Sequence, residues 1–124
     1  MADNTSRKMA RIAYDALMDK KAQDVRVINI ENVSSIADYF LIASGTNRTQ
    51  VMTLADNVDE MLGRAGYEKK QVEGYASGNW ILLDYGDIIV HIFDRENRLF
   101  YDLERIWVDG ETISIDQLRE GEKE

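Results

Sequence analysis

The sequence contains no cysteine and only one histidine, and these two scarcities exclude several kinds of site. Without cysteine there is no disulfide scaffold, no cysteine-ligated zinc site and no cysteine nucleophile. With His91 as the single histidine, a histidine zinc site or a serine–histidine triad lacks most of its parts. The absence of cysteine also fits a reducing compartment, so we expect a cytoplasmic protein.

Long hydrophobic segments are missing as well. Residues 1–11 contain no apolar stretch of the kind that forms the centre of a signal peptide. No apolar run approaches the roughly 20 residues that a helix needs to cross a bilayer. We therefore expect neither secretion nor a membrane partner.

Acidic residues outnumber basic ones by 23 to 15, which gives a net charge of −8. A surface with this charge repels nucleic acid over most of its area, so no direct sequence-specific contact to nucleic acid is expected. The same charge attracts and steers a basic protein partner. Acidity that only aids solubility is the simpler interpretation, and charge indicates a partner only when a motif supports it.

The spacing of apolar residues predicts the element order α-β-β-α-β-β-β-α. Helical stripes cover 9–17, 51–62 and 99–107, and predicted strands cover 25–30, 39–43, 67–74, 80–83 and 88–93. Helices that alternate with strands and are followed by a meander predict an α/β protein with a single mixed β-sheet and packed helices. The length of 124 residues suits one domain, which we place at 1–107. Residues 108–124 are predicted to be a charged, poorly ordered tail, although Ile113 and Ile115 would suit one more strand.

The segment Trp80–Phe93 has the clearest pattern in the sequence. Two apolar runs flank Asp84–Asp87 (DYGD), which predicts a β-hairpin with its turn at Tyr85-Gly86 and with Trp80 opposite His91. One face of this hairpin is aliphatic and is predicted to join the core: Ile81, Leu83, Ile88, Val90 and Ile92. The other face is mixed and is either buried by a second layer or partly exposed: Trp80, Leu82, Ile89, His91 and Phe93. Trp80 enters from a polar loop and is the expected interface anchor.

Three features could carry chemistry, and each has a simpler structural interpretation. Asp84 and Asp87 could hold Mg²⁺, but carboxylates that bracket a turn commonly bond the local backbone. The turn Ser44–Asn47 precedes a helix and could bind phosphate, but it is not a Walker loop and capping is favoured. His91, alone on a strand, is more typical of a structural residue than of a catalyst. We therefore predict no catalytic residues, no metal and no cofactor.

Several segments together resemble the ribosomal silencing factor family, also called Iojap-like proteins. The matching segments are Ser34–Phe40, Ser44–Thr46, Ala55–Val58, Glu73-Gly74, Trp80–Phe93 and Phe100–Trp107. The resemblance implies a fold similar to that of nucleotidyltransferases without their catalytic carboxylates. Those enzymes carry a Gly-Ser helix start and an Asp-x-Asp/Glu pair on the next strand. Here Ser44-Gly45 reverses the first element, and no such pair follows the second helix.

The family resemblance implies binding to the fourteenth large-subunit ribosomal protein on the intersubunit face. Occupation of that face would block joining to the small subunit and repress translation. The binding residues implied are Trp80 and Tyr85, with Tyr101 and its helix as a further addition. Acidic candidates for contacts to a basic partner are Asp84, Asp87, Asp102 and Glu104.

Two alternatives to this interpretation stay open at the level of sequence. The first is a divergent nucleotidyltransferase-like enzyme that acts on a nucleotide or RNA through Asp84, Asp87 and the Gly45 turn. The second is a homodimer in which the mixed hairpin face is buried against itself. A weak dimer could open to bind another partner, so the second alternative is compatible with a binding function.

Overall fold

The structure is a computed structural model that describes residues 4–31, 37–94 and 111–113. The helices in these ranges are α1 (Asn4–Asp19) and α2 (Arg48–Arg64). The strands are β1 (Gln23–Asn29), β2 (Tyr39–Gly45), β3 (Gln71–Glu73), β4 (Trp80–Asp84), β5 (Ile88–Asp94) and β6 (Glu111–Ile113). The predicted order is confirmed from α1 to β5, and the helix predicted after β5 lies outside the described residues.

The six strands form one sheet in the order β3-β4-β5-β2-β1-β6. The central pair, β2 and β5, runs parallel, and the other neighbouring pairs run antiparallel. All seven residues of β2 are buried, which is why its sequence is a continuous apolar run and does not alternate. The single mixed sheet expected from the sequence is therefore confirmed.

Both helices pack on one face of the sheet. Their buried residues follow the predicted stripes and include Met9, Ala13, Ala16, Leu17, Val51, Leu54, Val58 and Leu62. Helix α2 begins at the N-cap Asn47, whose side chain accepts a 2.8 Å hydrogen bond from Gln50 N. It ends before Gly66, which has a φ of +93° and so supplies the left-handed residue that commonly follows a helix.

The opposite face of the sheet holds a second, smaller apolar cluster. Its buried members are Ile28, Ile30, Ala37, Phe40, Ile42, Ile89 and Phe93, and Trp80 and Leu82 pack against it half-buried. The aliphatic hairpin face lies in the helix-side cluster instead. The division of the hairpin into two faces is confirmed. Of the two alternatives for the mixed face, burial or partial exposure, Ile89 and Phe93 are buried.

The pairing within the hairpin differs from the predicted register. Trp80 lies opposite Phe93, and Leu82 lies opposite His91. Each partner is thus two residues further along than predicted. A shift of two leaves every side chain on its predicted face, because side chains of a strand alternate with a period of two.

The cause of this shift is the position of the turn. Tyr85 N donates a 3.0 Å hydrogen bond to Ile88 O, so the two-residue loop is Gly86-Asp87 and not Tyr85-Gly86. Gly86 has a φ of +85°, which suits the first central position of a tight hairpin turn. Glycine takes this conformation without the steric cost that a side chain would add.

The segment predicted as a tail contributes a strand. Residues Glu111–Ile113 pair antiparallel with β1, where Ile113 lies opposite Val27. The expectation of poor order is therefore wrong for these three residues, because the open edge of β1 offers backbone groups that they can bond. A domain boundary at 107 stays a prediction.

Candidate functional site

Trp80 begins β4 and is held on the second face of the sheet by two aromatic neighbours. Its ring stacks on Phe93 with centroids 5.2 Å apart and planes inclined by 22°. Its Nε1–H donates a 2.9 Å hydrogen bond to His91 Nδ1. The indole is half-buried, so one part of it is anchored in the cluster and another part is accessible to a partner.

His91 is 4% exposed, and burial lowers its pKa from 6.5 to about 4. The imidazole is therefore neutral near pH 7. Since Nδ1 accepts the Trp80 bond, the ring proton belongs on Nε2. The ring also packs against Phe40 at a centroid distance of 4.2 Å. This arrangement fits the structural interpretation of His91, since its accepting nitrogen is already in use.

The accessible side of Trp80 contributes to a groove of about 260 Å³. Its other lining residues are Glu73, Gly74 and Leu82. Gly74 has a φ of +78°, and a side chain there would collide with the Trp80 carbonyl oxygen. The groove thus combines an aromatic ring, an aliphatic side chain and an exposed carboxylate, which together suit an apolar group with a basic neighbour.

The loop between β3 and β4 is fastened to α2 from two sides. The Arg48 guanidinium donates to the carbonyl of Ala76. The Tyr75 hydroxyl lies 3.0 Å and 3.1 Å from the two carboxylate oxygens of Asp56. These contacts fix the path by which the chain enters β4 at Trp80.

Tyr85 requires a correction, because the family resemblance implied that it is an exposed partner-binding residue. Its side chain is 4% exposed and belongs to the helix-side core. Its hydroxyl donates a 2.9 Å hydrogen bond to Asp59 Oδ1. Burial and the neighbouring Asp59 carboxylate raise the pKa of the Tyr85 hydroxyl. Tyr85 folds inward because α2 offers its ring an apolar surface and offers its hydroxyl the half-exposed carboxylate of Asp59 as an acceptor.

The two turn carboxylates behave differently from each other. Asp84 Oδ1 accepts a 2.8 Å hydrogen bond from Gly86 N, so this carboxylate stabilises the turn, as the structural interpretation expects. The Asp87 side chain is exposed. Its main-chain oxygen accepts a 2.8 Å bond from Asp38 N and so ties the turn to the start of β2. Asp87 therefore stays available to a partner.

The remaining predicted site residues, Tyr101, Asp102 and Glu104, lie outside the described residues. Across the ranges that the structure describes, no group of three histidine or acidic residues is arranged to hold a metal ion. Neither described helix is long and apolar enough to cross a membrane.

The start of α2 is occupied by the chain's own side chains. Asn47 caps Gln50 N, and the Thr46 N–H and hydroxyl both donate to Gln50 Oε1 at 2.6 Å and 2.8 Å. Gln50 Nε2 donates to the carbonyl oxygens of Lys20 and Lys21, 3.1 Å from each. The capping interpretation is confirmed, and the same contacts fasten the start of α2 to the end of α1.

A second cleft, of about 230 Å³, lies between α2 and the β3–β4 region, and sequence reasoning missed it. Its polar lining includes Asp56, Asp59, Lys69 and Tyr75. Lys69 Nζ lies 2.7 Å from Asp59 Oδ2 and offsets part of the acidic charge. The sequence signal for this cleft was the pair Asp56 and Asp59, which lie three residues apart on α2.

Glu73, Gly74 and Leu82 were also missed as groove residues, although Glu73-Gly74 belongs to the segments that carry the family resemblance.

The fold and the site define a small α/β protein with a surface groove at the start of β4. The turn carboxylate of Asp84 and the helix cap Asn47 both hydrogen-bond the chain's own backbone. A family model described as "Ribosomal silencing factor during starvation" matches residues 3–124. The chain belongs to the ribosomal silencing factor family, which confirms the resemblance seen in the sequence. Members of this family are named as silencing factors of the ribosome.

Individual relatives agree with this assignment. A ribosomal silencing factor of Halalkalibacterium halodurans is 36% identical over 112 residues, which cover 90% of this chain and 96% of the relative. One from Zymomonas mobilis is 41% identical, covering 83% of this chain and 77% of the relative. A crystal structure of a protein from Chromobacterium violaceum is 33% identical with a TM-score of 0.80, covering 86% of this chain and 88% of that one.

Proposed function

We propose that this protein represses translation by binding the fourteenth ribosomal protein of the large subunit and blocking association with the small subunit. Membership of the ribosomal silencing factor family supports the ribosome as the target. The observation that carries the finer proposal is the half-buried Trp80, which lines a groove beside an exposed carboxylate. Tryptophan is among the residues most enriched at the energetic centre of protein interfaces.

The groove is suited to a basic protein rather than to RNA. Glu73 is exposed at the groove, Asp87 is exposed and Asp84 half-buried at the hairpin turn, and the chain carries a net charge of −8. Lysine and arginine side chains of a ribosomal protein would meet these carboxylates, while phosphates would be repelled. In this proposal Trp80 and Leu82 supply the apolar contact. Tyr101, Asp102 and Glu104 stay candidate contacts on the strength of the family resemblance.

The proposed mechanism requires occupancy and no chemical step. A chain of this length has a radius of gyration of about 14 Å. A body of that size at the intersubunit face would fill space that the small subunit needs. Repression would therefore be stoichiometric with large subunits and would not be enzymatic. We also propose that the protein acts in the cytoplasm, and homodimerisation stays a prediction.

The test is a reassociation assay with purified subunits, resolved on sucrose gradients at increasing protein concentration. We expect free subunits to replace joined ribosomes as the protein approaches one copy per large subunit. The variant Trp80→Ala should restore joining, because loss of an interface anchor typically costs about 2 kcal/mol or more of binding free energy. The matched control is Met18→Ala, which truncates an exposed apolar side chain of α1 on the helix side of the sheet.

Two outcomes of this assay would refute the proposal. One is an unchanged amount of joined ribosomes at saturating protein. The other is complete inhibition by a small fraction of one copy per subunit, which would indicate catalysis. A thermal-shift measurement with ATP and Mg²⁺ tests the enzyme alternative separately, and we expect no change in the midpoint.

A further inference from the structure

We propose that His91 is a positioning residue that fixes the orientation of the Trp80 indole and thereby shapes the partner groove. The part of this inference that concerns the partner rests on the proposed function. The orientation of the indole is a property of this protein alone and can be measured without a partner. His91 itself is buried and does not line the groove.

The two side chains meet through a diagonal contact across the β4–β5 pair. Leu82 is the direct partner of His91, and Trp80 is the direct partner of Phe93. Diagonal neighbours on one face of a sheet lie within reach of long aromatic side chains. The Trp80 and His91 ring centroids are 5.8 Å apart, with Nε1 and Nδ1 at 2.9 Å. The bond therefore spans two residues of strand and leaves the indole stacked on Phe93.

His91 can orient the indole because its own position is fixed. Phe40 packs on its ring at 4.2 Å from β2, and Phe93 lies almost parallel to it at 6.2 Å, with planes inclined by 10°. An imidazole enclosed in this way has little rotational freedom, so its Nδ1 acceptor points in one direction. Indole nitrogen is only a donor, so a single fixed acceptor is enough to select one orientation of the ring.

The choice of residue at position 91 supports a specific role. The neighbours of His91 on this face are apolar, and burial of an imidazole among them costs more than burial of a hydrocarbon. Within the described ranges, Nε2 has no hydrogen-bond partner, so the bond to Trp80 is the one that compensates for burial of the ring. An aliphatic or phenyl side chain would fill this place at lower cost but would leave the indole N–H without its acceptor.

The consequence for the groove follows from the position of Trp80. Its indole lines the groove together with Glu73, Gly74 and Leu82, so rotation of the ring would change the shape of that wall. An indole that has lost its acceptor gains freedom to turn its N–H toward water. A partner would then have to order the ring on binding, which weakens affinity.

The test compares two substitutions of His91 with the wild type. His91→Phe keeps an aromatic ring and removes the acceptor, whereas His91→Asn places an amide oxygen near the position of Nδ1. The first readout is the NMR signal and hydrogen exchange of the Trp80 indole N–H. The chain has two tryptophans, and loss of a signal in Trp80→Phe assigns it. The second readout is affinity for the purified fourteenth large-subunit protein by calorimetry, with urea unfolding to confirm the fold.

We expect slow indole exchange in the wild type, fast exchange in His91→Phe, and at least partial recovery in His91→Asn. Affinity should fall about tenfold in His91→Phe and recover with the indole protection in His91→Asn. Fast exchange in the wild type would overturn the inference even if both variants fail to fold. Unchanged affinity in a folded His91→Phe with a freed indole would overturn it as well. If the wild type does not bind this protein, the proposed function fails, and the indole measurements still decide whether His91 orients Trp80.

Discussion

The Tyr85 hydroxyl donates a 2.9 Å hydrogen bond to Asp59 Oδ1, and this contact joins the β4–β5 turn to α2. The other oxygen of the same carboxylate lies 2.7 Å from Lys69 Nζ. One aspartate thus holds the hairpin turn and the segment that leads into β3. Tyr85, which looks like an exposed turn residue in the sequence, is part of the helix-side core.

The variant Tyr85→Phe should lower the free energy of unfolding by about 1–2 kcal/mol, because it removes a hydrogen bond to a charged acceptor from a buried site. Urea unfolding monitored by circular dichroism measures the change. Tyr75→Phe is the matched control, since Tyr75 also bonds an aspartate of α2 but is exposed. Its effect should be close to zero. Equal losses in the two variants would show that the Tyr85–Asp59 hydrogen bond stabilises the fold no more than an exposed one does.

Substitution of Gly74 and of Gly63 by alanine should change the stability of the protein in opposite directions. Gly74→Ala should destabilise the protein and weaken partner binding, because the new side chain collides with the Trp80 carbonyl and φ is positive. Gly63 lies within α2 with open space around it, so Gly63→Ala should raise stability by about 0.5–1 kcal/mol. Thermal unfolding and partner calorimetry measure both effects. A stabilising Gly74→Ala would show that the turn is not constrained as described.

Acid should destabilise the protein partly through His91. Its pKa is about 4 in the folded protein and 6.5 ordinarily, so between these values the unfolded chain binds a proton that the folded chain does not. Above pH 6.5 His91 is neutral in both states and does not affect stability. As the pH falls from 6.5 to 4, proton binding by the unfolded chain lowers the free energy of unfolding by about 3 kcal/mol. Urea unfolding across this range should show a shallower pH dependence in His91→Phe than in the wild type. Parallel curves would contradict the burial of a neutral imidazole.

The contact between the helices can be tested at Asn57. This buried side chain donates from Nδ2 to the Ala16 carbonyl at 2.8 Å and to Asp19 Oδ2 at 3.3 Å. Asn57→Ala should cost about 1–3 kcal/mol of stability. Asn57→Asp should cost more, because it replaces the donor with a carboxylate beside Asp19 and the Ala16 oxygen. If the aspartate variant were the more stable of the two, the donor role of Asn57 would be excluded.

Much of the fold follows from local patterns in the chain. The continuous apolar run of β2 predicts a central strand, Asn47 and Gly66 mark the two ends of α2, and the alternation in 80–93 separates the two faces of the hairpin. The face assignment holds although the register was wrong by two residues, because the period of a strand is two. These features depend on residues that are close in sequence, which is why pattern alone predicts them.

The candidate site was only partly predictable from sequence. Trp80 was expected from its place at the hairpin entrance, and Asp84 and Asp87 from the turn. Glu73 and Gly74 line the groove only because of the path that the β3–β4 loop takes back to the start of β4, and no local sequence pattern predicts that path. For Tyr101, Asp102 and Glu104, the assignment stays a prediction from the family resemblance.

By itself, the sequence determined the order of the elements, the composition of each face and the family to which the chain belongs. Only the tertiary structure decided that Tyr85 is buried, that His91 accepts from Trp80 and that residues 111–113 close an edge of the sheet. The physical reason is the distance between partners along the chain. Tyr85 and Asp59 are 26 residues apart, and Asn57 and Ala16 are 41 apart, so these contacts exist only once the helices pack on the sheet.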